Sequence, residues 1–154
     1  MLFTASERIE APRDFVFERA CEFDRLVRAI EGRGGVVERV AEAPGTPRYD
    51  VQYPFRDQLW PASLELRGLD VPEAMEIGVE AKVVEALARF DFRAPDPDWT
   101  LAELSVTLKP RGMQGRLLIG SLHAVRGRVQ ERLDGDLAAL ARKAERMWRA
   151  AGGR

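Results

Sequence analysis

From residue 35 to residue 110 the chain alternates apolar and polar side chains with a period of two, broken by short turn-forming clusters. Tyr49, Val51, Tyr53 and Phe55 share one parity, with Asp50 and Gln52 on the other. Four more rows follow: Trp60 to Leu66, Met75 to Ala81, Val84 to Phe92, and Ala102 to Leu108. Each row is answered by charged or small residues, so each predicts a strand with one dry and one wet face. A strand starting at Val37 and running toward Ala43 precedes them, closed by a turn at Pro44-Gly45-Thr46-Pro47. Turns are also predicted at Leu69-Asp70-Val71-Pro72, and a loop at Ala94 to Asp98.

The segments flanking this meander have different periods. Leu2 to Glu10 alternates and reads as a first strand, with Phe3, Ala5 and Ile9 on one side. Pro12 suits a first helical position, and Phe15, Val16 and Ala20 predict a helix of about two turns. Asp24 is placed to cap a second short helix that carries Val27 and Ile30 and closes at Gly32 and Gly34-Gly35. After Gly112 the apolar spacing becomes three and four: Leu118, Leu122, Val125, Val129, Leu133, Leu137, Leu140, Ala144 and Met147. A straight helix over about 113–149 would be roughly 55 Å long at 1.5 Å per residue. That overshoots a domain of this size, so a bend or a ragged first turn is expected. Gly120 and Gly127 lie opposite the apolar stripe, where sheet packing does not explain them; a local irregularity or a second subunit in a homodimer would.

A seven-stranded sheet with one wet face has to cover its dry face, and only the last helix is long enough to do so. The expected architecture is α+β: a strongly curved antiparallel sheet wrapped around a C-terminal helix, with two short helices closing one end. The segment FTASERIEAPRDFVFERACEFDRL, followed by these elements and by LLIGSLHAVRGRVQERLDGDLAALARKAE, resembles the START/polyketide-cyclase-like superfamily, also called SRPBCC or helix-grip. The resemblance lies in pattern and order and spans essentially the whole chain as one domain, 1–154. It implies a cavity between sheet and helix. Members include lipid and sterol carriers, aromatase/cyclases, coenzyme-Q-binding proteins and plant hormone receptors. No invariant catalytic motif transfers, so the activity is left open.

Composition narrows the function classes. The 154 residues are 45% hydrophobic and 32% charged, which suits a folded soluble domain. One cysteine, Cys21, excludes an internal disulfide and a cysteine-rich zinc site. No apolar run has the length of a secretory signal or of an integral membrane segment, which makes the cytoplasm the expected location. Residues 1–110 hold 14 basic and 21 acidic side chains, and residues 111–154 hold 10 and 4. Without a basic run or interleaved aromatics, the basic helix reads as a partner for the acidic sheet rather than for nucleic acid. No cofactor motif is present, because Gly32-Arg33-Gly34-Gly35 follows a helix and precedes a strand, the wrong order for a dinucleotide loop. Asp96 and Asp98 form a turn rather than a metal site.

The candidate ligand-binding residues follow from the architecture. Leu118, Leu122, Val125 and Val129 would floor a cavity, with Tyr53, Trp60 and Phe90 on its walls. Tyr53 and Trp60 are favoured because each joins an apolar body to one hydrogen-bonding group. Asp136 with Arg132 one turn earlier could anchor a polar head, although an i,i+4 surface pair is the simpler reading. The partner expected is a small hydrophobic or amphipathic molecule (a lipid, a quinone or a polyketide-like compound), held by a carrier or sensor. A cyclase or dehydratase is the alternative, with Tyr53, Asp136 or the lone His123 as its acid or base. A third is an interaction module with a filled cavity. Cys21 reads as a small buried filler.

Overall fold

A computed structural model describes residues 1–40, 47–55 and 57–153, the side chain of Phe55 excepted; the turn expected at 44–47 therefore lies mostly outside the described residues. The strands are β1 (Leu2–Ile9), β2 (Val36–Val40), β3 (Arg48–Phe55), β4 (Gln58–Asp70), β5 (Ala74–Ala81), β6 (Val84–Asp96) and β7 (Trp99–Pro110). The helices are α1 (Arg13–Ala20), α2 (Phe23–Gly32), α3 (Gly112–Ala124) and α4 (Arg126–Ala150). All seven strands form one antiparallel sheet in the order β1-β7-β6-β5-β4-β3-β2. The meander folds back so that the first strand joins the last, as the alternation predicts.

Register keeps each apolar row on one face. Tyr53 pairs with Trp60, Leu64 with Val79, Ile77 with Ala88 and Phe90 with Leu104. The opposite face is a lattice of ion pairs: Arg89 bridges Glu76 (2.7 Å) and Asp91 (3.0 Å), and Arg67 reaches Glu80 at 2.9 Å. The loop expected at 94–98 is in fact a tight hairpin. Strand β6 continues to Asp96, which pairs with Trp99 across a register shift, and the Asp96 carboxylate accepts the Asp98 N–H at 2.9 Å. Pro95 is tolerated there because the ladder is already interrupted.

The short helices also start slightly differently from the reading above. Pro12 is the N-cap of α1 rather than its first residue, and α2 begins at Phe23 with Glu22 before it. Asp24 thus sits inside the first turn, where its charge still favours the positive helix end. At the other end of α2 the N–H of Gly35 reaches the Ile30 carbonyl (3.0 Å) and that of Gly34 reaches Glu31 (3.0 Å). This is a Schellman stop, and Gly34 supplies its left-handed residue at φ +92°.

The long C-terminal helix breaks once. Val125 leaves helical geometry (φ −116°, ψ 24°), and its N–H turns back to Leu122. The break lets α3 lie against β7 while α4 follows β1. Strand β1 is a sheet edge, and its outward backbone groups are capped in sequence by α4. Arg126 donates to the Leu2 carbonyl (3.0 Å), Gln130 to Thr4 (2.7 Å) and Arg142 to Arg8 (2.8 Å). The carboxylate of Glu145 accepts the Glu10 N–H at 2.8 Å. Glu145 is only 5% exposed, and its second oxygen faces Arg142 at 3.3 Å. An edge that would otherwise template another strand is closed by side chains of the protein's own helix.

The core sits at the end of the grip where α1, the C-terminal half of α4 and the sheet converge. Ile9, Val16, Phe17, Met75, Phe92 and Ala141 are its centre. Phe17 meets Phe92 edge-on at 5.8 Å, and Phe15 meets Trp148 at 5.0 Å. The fully buried Thr100 donates its hydroxyl to the Ala11 carbonyl at 2.8 Å, fixing the turn into α1 against β7.

Candidate functional site

Beside this core the sheet and helices enclose a cavity of about 260 Å³. Its floor is the sheet, through Met75, Ile77, Phe90 and Phe92, and its sides are α2 and the C-terminal half of α4. Among the described residues, sixteen of the twenty that line it are apolar, and the other four are Arg19, Glu22, Arg25 and Lys143. The interior therefore offers surface for burial and almost no hydrogen-bonding chemistry.

Helix α2 explains why the cavity exists. Its spacing of Phe23, Leu26, Val27 and Ile30 makes it strongly amphipathic, yet none of its ten residues is fully buried. It rests on β2, and Phe23 leans on Tyr49 with ring centroids 6.4 Å apart. Phe23, Leu26 and Ala29 border the cavity across from Leu137, Leu140 and Met147 of α4. Leu140 is 56% exposed although it lines the cavity, which places the mouth between α2 and α4.

The four charged residues line the cavity from its helices: Arg19 on α1, Glu22 just before and Arg25 on α2, and Lys143 on α4. Arg19 lies over the Phe15 ring at 4.8 Å and pairs with Glu22 at 2.9 Å. Arg25 donates a short hydrogen bond to the same carboxylate. The Arg25 hydrogen bond, with the nearby charges of Arg19, Arg25 and Arg28, holds the Glu22 carboxyl below its ordinary range despite some loss of solvation. Glu22 is therefore an ionised anchor rather than a proton donor. Burial pushes the thiol of nearby Cys21 upward, which keeps it protonated and a poor nucleophile.

The residues singled out from sequence fall in three places. Phe90 lines the cavity. Leu118, Leu122 and Val129 are half-buried further toward the N-terminal end of the grip, and Val125 is 39% exposed at the helix break. None of these four borders the cavity, whose α4 wall begins at Leu137, two turns further along. Tyr53 and Trp60 face each other across the β3–β4 hairpin, 38% and 43% exposed. Asp136 is exposed and pairs with Arg132 at 3.3 Å, the i,i+4 surface pair. It does share one neighbour with Tyr53, because the guanidinium of Arg33 is held above its ordinary value first by the Tyr53 hydroxyl and then by Asp136. His123 is exposed at the end of α3. Sequence reasoning missed Ile77, Leu140 and Met147 as cavity wall, though all three stood in its apolar rows. It also missed the charged group Arg19, Glu22, Arg25 and Lys143. Their spacing, i,i+3 twice around Glu22, was the available signal.

A curved seven-stranded antiparallel sheet, two short helices before its second strand and a C-terminal helix across its open side are the START/SRPBCC helix-grip fold. Solved structures share it over most or all of the chain. The Zhui aromatase/cyclase from Streptomyces sp. R1128 superposes with a TM-score of 0.73 at 19% identity, covering 100% of this chain and 99% of that one. A conserved protein from Geobacillus kaustophilus gives 0.68 at 15%, with 96% and 97% covered. A START superfamily protein from Mycobacterium smegmatis gives 0.56 at 11%, with 87% and 97% covered. No family model and no curated protein matches the chain by sequence. Among the described residues no helix is long and apolar enough to cross a membrane.

Proposed function

We propose that this chain is a cytoplasmic carrier or sensor that binds one small hydrophobic or amphipathic molecule in the cavity between sheet, α2 and α4. The observation that carries this reading is the apolar face of α2, which has no full protein cover and borders the cavity instead. An amphipathic helix in a finished core buries its stripe. Here a ligand would complete that burial. At about 25 cal/mol per Å², a ligand burying ~200 Å² of apolar area would contribute about 5 kcal/mol before the costs of association. A dry cavity of ~150 Å³ accommodates benzene, and drug-sized sites run from ~300 to 1,000 Å³. A volume of about 260 Å³ suits a one- or two-ring molecule or a short acyl chain.

A cyclase or dehydratase acting on a polyketide-like substrate is the second reading, favoured by the full-length likeness to an aromatase/cyclase. The cavity gives it little to work with: its one carboxylate, Glu22, is committed to two arginines, and Tyr53, Asp136 and His123 all lie outside the lining. Calorimetric titration with 2-naphthalenemethanol, preceded by native mass spectrometry for co-purified molecules and oligomeric state, tests the first reading. One equivalent is expected to bind, and Ile77→Trp, which fills the cavity floor, is expected to abolish it. Leu117→Trp, on the exposed side of α3, is the control for a general effect of added indole. Binding that is unchanged in a folded Ile77→Trp protein would place the ligand elsewhere.

A further inference from the structure

The charged residues at the cavity are unequally matched. Arg19 and Arg25 both draw on the single carboxylate of Glu22, and the other acid near Arg19, Glu18, is 3.5 Å away and 69% exposed. Lys143 comes from the opposite helix, and among the described residues no carboxylate lies within ion-pair distance of it. Three cations thus stand against one anion around a mouth whose interior is apolar. The first turn of α2 borders the same cavity through Phe23 and Arg25, whose N–H groups already donate to the Cys21 and Glu22 carbonyls at 3.0 Å, so the side-chain cations carry the charge. Two arginines share one carboxylate there and Lys143 has none, so the cavity lining carries net positive charge backed by low-dielectric walls.

We propose that the ligand is an amphipathic acid: an apolar body of one or two rings, or a short chain, with a carboxylate at one end. The body lies over Ile77 and Phe90, and the carboxylate sits between Lys143 on α4 and Arg25 on α2. This rests on the cavity reading given above and specifies it. It also orients the ligand, because among the described residues the cations in the lining belong to the helices and none comes from the sheet floor. A carboxylate sent inward would lose its hydration with nothing in return. Held at the mouth, it keeps water on one side and gains charge-assisted hydrogen bonds on the other.

The test compares two probes of nearly the same shape, 2-naphthoate and 2-naphthalenemethanol, titrated into the full chain at low salt. Without help from the mouth the neutral alcohol should bind better, since the acid costs more to desolvate. The expected result is the reverse: naphthoate tighter on the order of tenfold or more. The preference should fall to about threefold or less in Lys143→Gln, and be retained in Lys143→Arg. It should also shrink as salt rises, because an exposed charge contact is screened. Equal binding of the two probes, or a preference that survives both Lys143→Gln and Arg25→Gln, would overturn the acid while leaving the cavity as the site. Failure of both probes to bind the folded protein would overturn the cavity reading, and this one with it.

Discussion

Gly115 and Gly120 are one helical turn and a residue apart, and their surroundings are opposite. A methyl group built on Gly115 would overlap the carbonyl oxygen of Val83 and press on Pro110, both backbone. The first turn of α3 therefore approaches the β5–β6 turn as closely as only glycine permits, and the Arg111 N–H bonds to the same Val83 carbonyl at 2.8 Å. At Gly120 and Gly127 nothing lies within 4 Å of the added carbon. Neither is required by packing, and both flank the break at Val125, where weak helix formers make interruption cheap. Gly115→Ala is expected to lower stability by about 1–3 kcal/mol, the usual cost of overpacking against a rigid neighbour. Gly120→Ala and Gly127→Ala are expected to raise it by about 0.5–1 kcal/mol each. Urea unfolding of the three variants decides this, and a loss at Gly120 comparable to that at Gly115 would mean a contact that the monomer does not contain. From sequence the three glycines look alike, because what separates them is a backbone segment more than thirty residues away.

At the scale of elements, the pairing of α4 with β1 gives the basic C-terminal segment a structural role. Arg126, Gln130 and Arg142 reach the carbonyls of Leu2, Thr4 and Arg8, all of one parity on the strand. From Arg126 to Arg142 the helix advances about 24 Å and from Leu2 to Arg8 the strand about 20 Å, a difference that the long Arg142 side chain spans. Each contact is partly exposed and contributes about 0.5–1 kcal/mol. Their larger effect is to keep the edge from pairing with another chain. The triple variant Arg126→Ala, Gln130→Ala, Arg142→Ala is expected to lose about 2 kcal/mol and to self-associate through β1, as read by sedimentation velocity against concentration. A variant that stays as monodisperse as the parent would show that the bulk of α4 protects the edge without these bonds. The excess of basic residues after 110 was plain in the sequence; that some of them serve a strand edge was not, because edge status depends on which strands close the sheet.

The molecule as a whole shows why the fold was legible and the site was not. Periods of two and of three to four identify the seven strands and the helical segments, though not the division of the last one at Val125, and burial of one face forces the curl around the terminal helix. The cavity depends instead on where along α4 the packing stops being tight. Leu122 and Leu140 occupy equivalent positions in one apolar stripe, yet only Leu140 borders the cavity. The difference comes from the break at Val125 and from α2, which stands off from α4 instead of filling the groove. An element whose apolar face lacks full cover should also be the least protected part of the fold. Hydrogen exchange in the free protein is therefore expected to be fastest, among the helices, in α2 (Phe23–Gly32) and slow in α4 from Leu137 to Glu145, where Leu137, Ala141, Ala144 and Glu145 are buried. Saturating 2-naphthoate should slow α2 by about tenfold or more and leave that part of α4 nearly unchanged, because a ligand stabilises most the element whose burial it completes. Uniform slowing of all helices would mean that binding stabilises the fold globally rather than through α2. Slowing confined to α3 would move the ligand to the other half of the grip, beside Leu118, Leu122 and Val125.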